Sequence, residues 1–104
     1  GVYLDLDNNK LYFSINGTLQ NSGTGVSITD PASTQQGAYF ICVGDDNAYA
    51  ERRFNLNFGS PIESISSGNT DGEFGNFEYS TTITGDGASK TFKALCTKNL
   101  AESG

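Results

Sequence analysis

The chain contains no histidine, no tryptophan and no methionine, with only two prolines, two cysteines and six basic residues. Without histidine there is no Ser-His-Asp or Cys-His catalysis, no imidazole-ligated metal and no histidine pH switch. Six scattered cations against twelve acidic residues give a formal net charge of −6. That balance cannot supply the phosphate-neutralising stripe on which nucleic-acid binding depends, so no nucleic-acid partner is expected. No run approaches the ~20 apolar residues of a membrane-spanning helix, and no basic-then-apolar leader opens the chain, so no membrane role is expected either. The absence of methionine even at position 1 suggests a start either after processing or partway through a longer gene product, and the second is expected. Cys42 and Cys96 do not make a disulfide framework. Cys42 stands in an apolar stretch and is expected to be a buried free thiol.

What is present favours strands. In 104 residues there are 13 glycines, and hydrophobic residues make up only 36%, a mix suited to β-structure joined by many turns within one small domain. Val2, Leu4 and Leu6 alternate with Tyr3, Asp5 and Asp7; after Asn8-Asn9, Leu11, Phe13 and Ile15 alternate with Tyr12, Ser14 and Asn16. This period of two predicts a hairpin with a tight two-residue turn at Asn8-Asn9, its Leu and Phe face toward the core. The second strand ends at Asn16-Gly17, and residues 18–36 read as a long surface loop in which Val26 and Ile28 can form a short edge strand. The continuous apolar run of residues 37–44 predicts a central strand buried on both faces. Residues 51–59, with Phe54, Leu56 and Phe58 alternating with Arg53, Asn55 and Asn57, predict a fourth strand. Beyond it lies a loop-rich extension, 60–104, with a strand near 77–83, a turn at Gly85-Asp86-Gly87 and a closing strand over 91–96. No stretch has a helical period. The sheet is therefore expected to be covered by a second sheet, giving an all-β antiparallel sandwich.

Three blocks carry a resemblance. Asp5-Leu6-Asp7-Asn8-Asn9-Lys10-Leu11-Tyr12-Phe13-Ser14-Ile15-Asn16-Gly17 resembles the central hairpin of SPRY domains. Ala38-Tyr39-Phe40-Ile41-Cys42-Val43-Gly44 resembles a later buried strand of that family, with Ile41 where a proline is common, and Phe54-Asn55-Leu56-Asn57-Phe58-Gly59 resembles its closing strand. The resemblance implies a concanavalin-like sandwich (jelly roll) of which residues 1–59 form about the C-terminal half, leaving open sheet edges. The segment Phe92-Lys93-Ala94-Leu95-Cys96-Thr97-Lys98-Asn99-Leu100 is similar to one that follows the SPRY-like part of tailed-bacteriophage virion proteins. Together they imply a non-catalytic structural or interaction module located in the virion. Its partners would be other virion proteins in a homo- or hetero-oligomeric assembly, contacted through loops 18–36 and 45–50.

Other chemistry is weaker. Asp5 and Asp7 followed by Asn8 and Asn9 suggest a calcium loop, but the sixth position is Lys10 and the twelfth Asn16, where the EF-hand needs Gly and Glu. No metal and no cofactor are expected. Sandwiches of this type also host glycosidases. The candidate carboxylates Asp45, Asp46, Glu51, Glu73 and Glu78 form no paired motif, and no tryptophan offers a sugar platform, so no enzyme is expected. Phe13, Phe40, Phe54 and Phe58 are assigned to the core. Candidate contact residues are Asp45, Asp46, Asn47 and Tyr49 in one loop, and Tyr3 and Tyr12, which are out of phase with the apolar residues of their strands. The tyrosines either pair across the hairpin, face a second packing layer or meet a partner. Two alternatives stay open: a module that binds host-surface glycan, and a cellular SPRY adaptor that captures a short peptide.

Overall fold

A computed structural model describes residues 1–46 and 51–99. The described residues are mostly strand, turn and irregular chain, and every strand pair is antiparallel. Among the described residues there are six strands: β1 Val2–Asp5, β2 Lys10–Ile15, β3 Thr18–Leu19, β4 Val26–Ser27, β5 Thr82–Gly85 and β6 Ala88–Thr91. The fold is all-β, as the composition and the period of two predict.

The first sheet is built around β2. On one side it pairs with β1 in the register Val2↔Phe13, Tyr3↔Tyr12, Leu4↔Leu11 and Asp5↔Lys10. On the other side β3 pairs at Ser14↔Leu19 and β4 at Leu11↔Val26. The expected edge strand at Val26 therefore forms, and the Ile28 N–H extends it by donating to the Asn9 carbonyl at 2.9 Å. Asn16 and Gly17, at φ 49° and 79°, turn the chain from β2 into β3, a conformation that Asn and Gly adopt with little strain. The β1–β2 connection is longer than two residues. Asp5 accepts from the Asn8 N–H at 3.1 Å and from Asn8 Nδ2 at 2.9 Å, an Asx-type turn that ends β1 at Asp5 and leaves residues 6–9 as the loop.

The second sheet is the β5–β6 hairpin, paired from Thr82↔Thr91 to Gly85↔Ala88. Its turn is Asp86-Gly87, with φ 50° and 77°, the positive pair that a two-residue hairpin loop favours. Phe77 makes only an isolated bridge with Asn69. The strand expected near 77–83 thus starts at Thr82, and the closing strand expected over 91–96 lies earlier, over Ala88–Thr91. The alternation of Thr82, Ile83, Thr84 and Gly85 is carried by residues compatible with a half-buried pleat, whereas Phe77, Tyr79 and Ser80 lie outside the strands, in a segment held by polar side chains described below.

The two sheets meet on the tyrosine side of the first. Tyr12 is 2% exposed, Tyr3 and Ile83 are buried with it, and Leu19 and Phe92 pack against them. The Phe92 ring lies 5.4 Å from Tyr3 and 6.2 Å from Tyr12, in tilted and edge-on arrangements favoured by ring quadrupoles. The inward face of the first hairpin is thus the tyrosine face, and the face expected to be the core looks outward. Both faces of β1 and β2 carry large apolar groups, so alternation fixes which residues share a face but not which face is covered.

Two further expected strands are not formed. Residues 37–44 and 51–59 have no regular secondary structure. Their Phe40, Ile41, Phe54 and Phe58 are exposed, as is Phe13, instead of filling a core. Cys42 is a free thiol but exposed. A strand buried on both faces needs neighbours on both sides and above and below it. Among the described residues no strand pairs with either segment.

At Gly85 the two sheets are in close contact: a Cβ there would stand 2.6 Å from Tyr12 Cε1. Gly85→Ala is expected to lower stability by about 1–3 kcal/mol through overpacking, read as a lower urea midpoint at unchanged slope. An unchanged midpoint would show that the sheets are not packed through Tyr12.

Candidate interaction surface

The tyrosines expected as contact residues are internal. The Tyr12 hydroxyl donates to Asp86 Oδ2 at 2.7 Å across the two sheets, and the same carboxylate accepts the Gly25 N–H, with 3.3 Å to each oxygen. Burial, then the hydrogen bond and charge of Asp86, push the Tyr12 phenol up to about 12. Its proton bond in turn holds Asp86 below the usual carboxylate range. Tyr3 pairs across the hairpin with Tyr12, and its hydroxyl lies 3.1 Å from Ser14 Oγ. Of the three roles open to these residues, the cross-strand pair and the second packing layer are the ones observed.

The acidic loop is partly described. Asp45 is ion-paired with Arg52, Nε to Oδ2 at 3.3 Å, and Asp46 is exposed. Asn47 and Tyr49 lie outside the described residues. Other carboxylates have separate partners of their own. Lys90 Nζ reaches Asp5 Oδ2 at 3.1 Å, bridging the sheets, while Lys93 pairs with Glu73 at 3.1 Å. The hydrogen bond from Asn8, more than the nearby Lys90, keeps Asp5 below its ordinary pKa. Glu78 accepts from the backbone and hydroxyl of Ser66. Among the described residues no group of three or more Cys, Asp or Glu side chains is placed to hold a metal ion.

Asp71 is a structural anchor that the sequence did not mark. Its carboxylate accepts from Thr81 N–H at 3.1 Å, Thr82 N–H at 2.9 Å, Thr82 Oγ1 at 2.8 Å and Ser80 Oγ at 2.5 Å. Desolvation opposes its ionisation, but these donors outweigh it and hold the carboxyl far below the usual range. Asn69 works beside it, donating Nδ2 to the Glu78 carbonyl at 2.9 Å. The only local signal is Asp71-Gly72, a turn pair that says nothing of residues ten positions away.

What the sheets leave uncovered is the more informative feature. Opposite the tyrosines, Val2, Leu4, Leu11, Phe13, Ile15 and Val26 share one face by register. Five are exposed, Val2 at 71% and Ile15 at 63%, and Leu11 is half-buried. The charges of this sheet, Asp5 and Lys10, lie on the tyrosine face. Beyond the sheet, Phe40 is 79% exposed, with Ile41, Val43, Phe54, Leu56 and Phe58 also on the surface. Isolated exposed apolar residues are ordinary, but a contiguous uncharged face marks an interaction site.

No family model, no curated protein and no solved structure matches the chain.

The perturbed groups set the pH limits of the fold. Asp71 and Asp86 have lowered folded pKa values, so their stabilisation is complete above the unfolded value of 3.8 and is lost as pH falls through the folded values. Tyr12 has a raised value, so its contribution is complete below 10.0 and lost as pH rises through about 12. Melting temperature against pH is therefore expected to fall at both extremes. Asp71→Asn should lower and flatten the acid limb, and Tyr12→Phe the alkaline one; limbs that keep their wild-type shape would refute these roles.

Proposed function

We propose that this chain is a non-catalytic interaction module of a bacteriophage virion, an SPRY-like β-scaffold that works by contact with neighbouring subunits. The observation that carries the contact reading is the uncharged sheet face of Val2, Leu4, Leu11, Phe13, Ile15 and Val26, largely exposed on a sheet whose opposite face is already packed. One covered and one uncovered apolar face is the state of a sandwich half whose second layer comes from elsewhere. The exposed segments 37–44 and 51–59 fit the same reading, since each has the sequence of a strand and, among the described residues, no strand pairs with it. The virion assignment rests on the similarity of residues 92–100 to the phage segment and on that of residues 5–59 to the SPRY blocks.

The face also favours protein over sugar as its partner. It presents aliphatic and phenyl groups with no side-chain hydrogen-bond donors, whereas sugar sites need convergent polar groups to fix the hydroxyls. Phe13→Lys places a charge on this face and leaves Tyr3 and Tyr12 untouched. It is expected to reduce binding of an apolar fluorescent dye several-fold at unchanged far-ultraviolet circular dichroism, and tryptic peptides of the chain are expected in digests of purified phage particles. Equal dye binding by the variant would overturn the contact reading, and absence of the peptides from particles would overturn the virion assignment.

A further inference from the structure

Gly1 and Ser14 exchange both backbone hydrogen bonds, at 2.8 and 2.9 Å. The alternation of an antiparallel ladder then fixes the rest of β1. Tyr3 and Asp5 point their N–H and C=O groups at β2, while Val2 and Leu4 point theirs away. Among the described residues β1 pairs with β2 alone, so Val2 and Leu4 offer two donors and two acceptors along an open edge. Several of the usual guards against pairing are missing there: β1 has no lysine, no proline and no bulge.

The edge is complementary to itself. When two copies of β1 are laid antiparallel with a two-fold axis at Tyr3, Val2 of one copy faces Leu4 of the other as a hydrogen-bonded pair, and the reverse pair follows by symmetry. All four outward N–H groups and all four outward carbonyls are then satisfied. The register also solves the charge problem. Asp5 is the one charged residue of β1; it falls opposite Gly1 of the other copy and is already neutralised by Lys90 at 3.1 Å. No like charges stand across the junction, and the apolar face runs uninterrupted from one copy to the next.

We propose that the occupant of this edge is a second copy of the chain, joined β1 to β1 in an isologous two-fold dimer centred on Tyr3. The proposal rests on the contact reading above and adds to it the partner and the register. Sedimentation of the full chain is expected to show its mass rising with concentration from 11.0 kDa to twice that value. Leu4→Pro removes an outward N–H without touching the β2 ladder and should remain at the monomer mass with its circular dichroism preserved.

A second measurement stands apart from proline's effect on folding. With Cys42 and Cys96 changed to serine, a mixture of Val2→Cys and Leu4→Cys chains should oxidise to a mixed disulfide dimer, because a hydrogen-bonded pair sets their Cα atoms about 5.5 Å apart. Either variant alone should crosslink at least tenfold less, since like residues stand about 8–9 Å apart in this register. A wild-type chain that stays monomeric, association of Leu4→Pro equal to wild type, or like-with-like crosslinking as fast as mixed would each overturn the dimer. Any of these together with loss of dye binding in Phe13→Lys would leave the contact reading standing and assign the face to a different protein.

Discussion

The structure depends on the burial of one aromatic side chain. Tyr12 reaches from the middle strand of the first sheet into the space left by the missing side chains of Gly25 and Gly85, and its hydroxyl finds Asp86 in the turn of the second hairpin. A phenol is suited to this place because its ring can be desolvated while its hydroxyl still meets a partner. Phe92 and Tyr3 close around it, and Lys90 with Asp5 ties the rim of the same contact. Residues 74 positions apart are thereby held together, and the orientation of the first hairpin is set.

That orientation determines what the surface can do. With the tyrosine face turned inward, the Leu and Phe face must look outward, and the small second sheet has no strand to spare for it. A protein of this size buries a modest share of its surface even when complete. Here the described core consists of Tyr3, Tyr12, Ile83 and Ala94, and much of the order in residues 60–82 comes from carboxylate and amide side chains gripping backbone N–H and C=O groups. Asp71 and Asn69 take the part that packing plays elsewhere. Such anchoring holds loops in place without a large core, which leaves the apolar surface free for association.

The carboxylates follow the same economy. Asp5, Asp71, Glu78 and Asp86 have lowered pKa values because each accepts several hydrogen bonds. Perturbed ionisation marks functional sites when it converges in a cleft; here it is distributed along turns and serves to fasten them. What they leave exposed is the uncharged strand face of the first sheet.

The sequence alone determined the strand class, the hairpin of residues 2–15 though not its register, the turns at Asn16-Gly17 and within Gly85-Asp86-Gly87 and the short edge strand at Val26, because each follows from local rules: a period of two, or a backbone angle that few residues tolerate. It also identified Tyr3 and Tyr12 as out of phase with their apolar neighbours. Only the tertiary structure decided which side of that pattern is inside. Alternation is symmetric when both faces are apolar, and the choice was made by Gly25, Gly85 and Asp86, far away in the chain. For the same reason 37–44 reads as a buried strand and 51–59 as a strand with one face on the core, and yet their large apolar residues stand exposed. A strand's hydrophobicity is local, but its burial requires partners that no local pattern can supply.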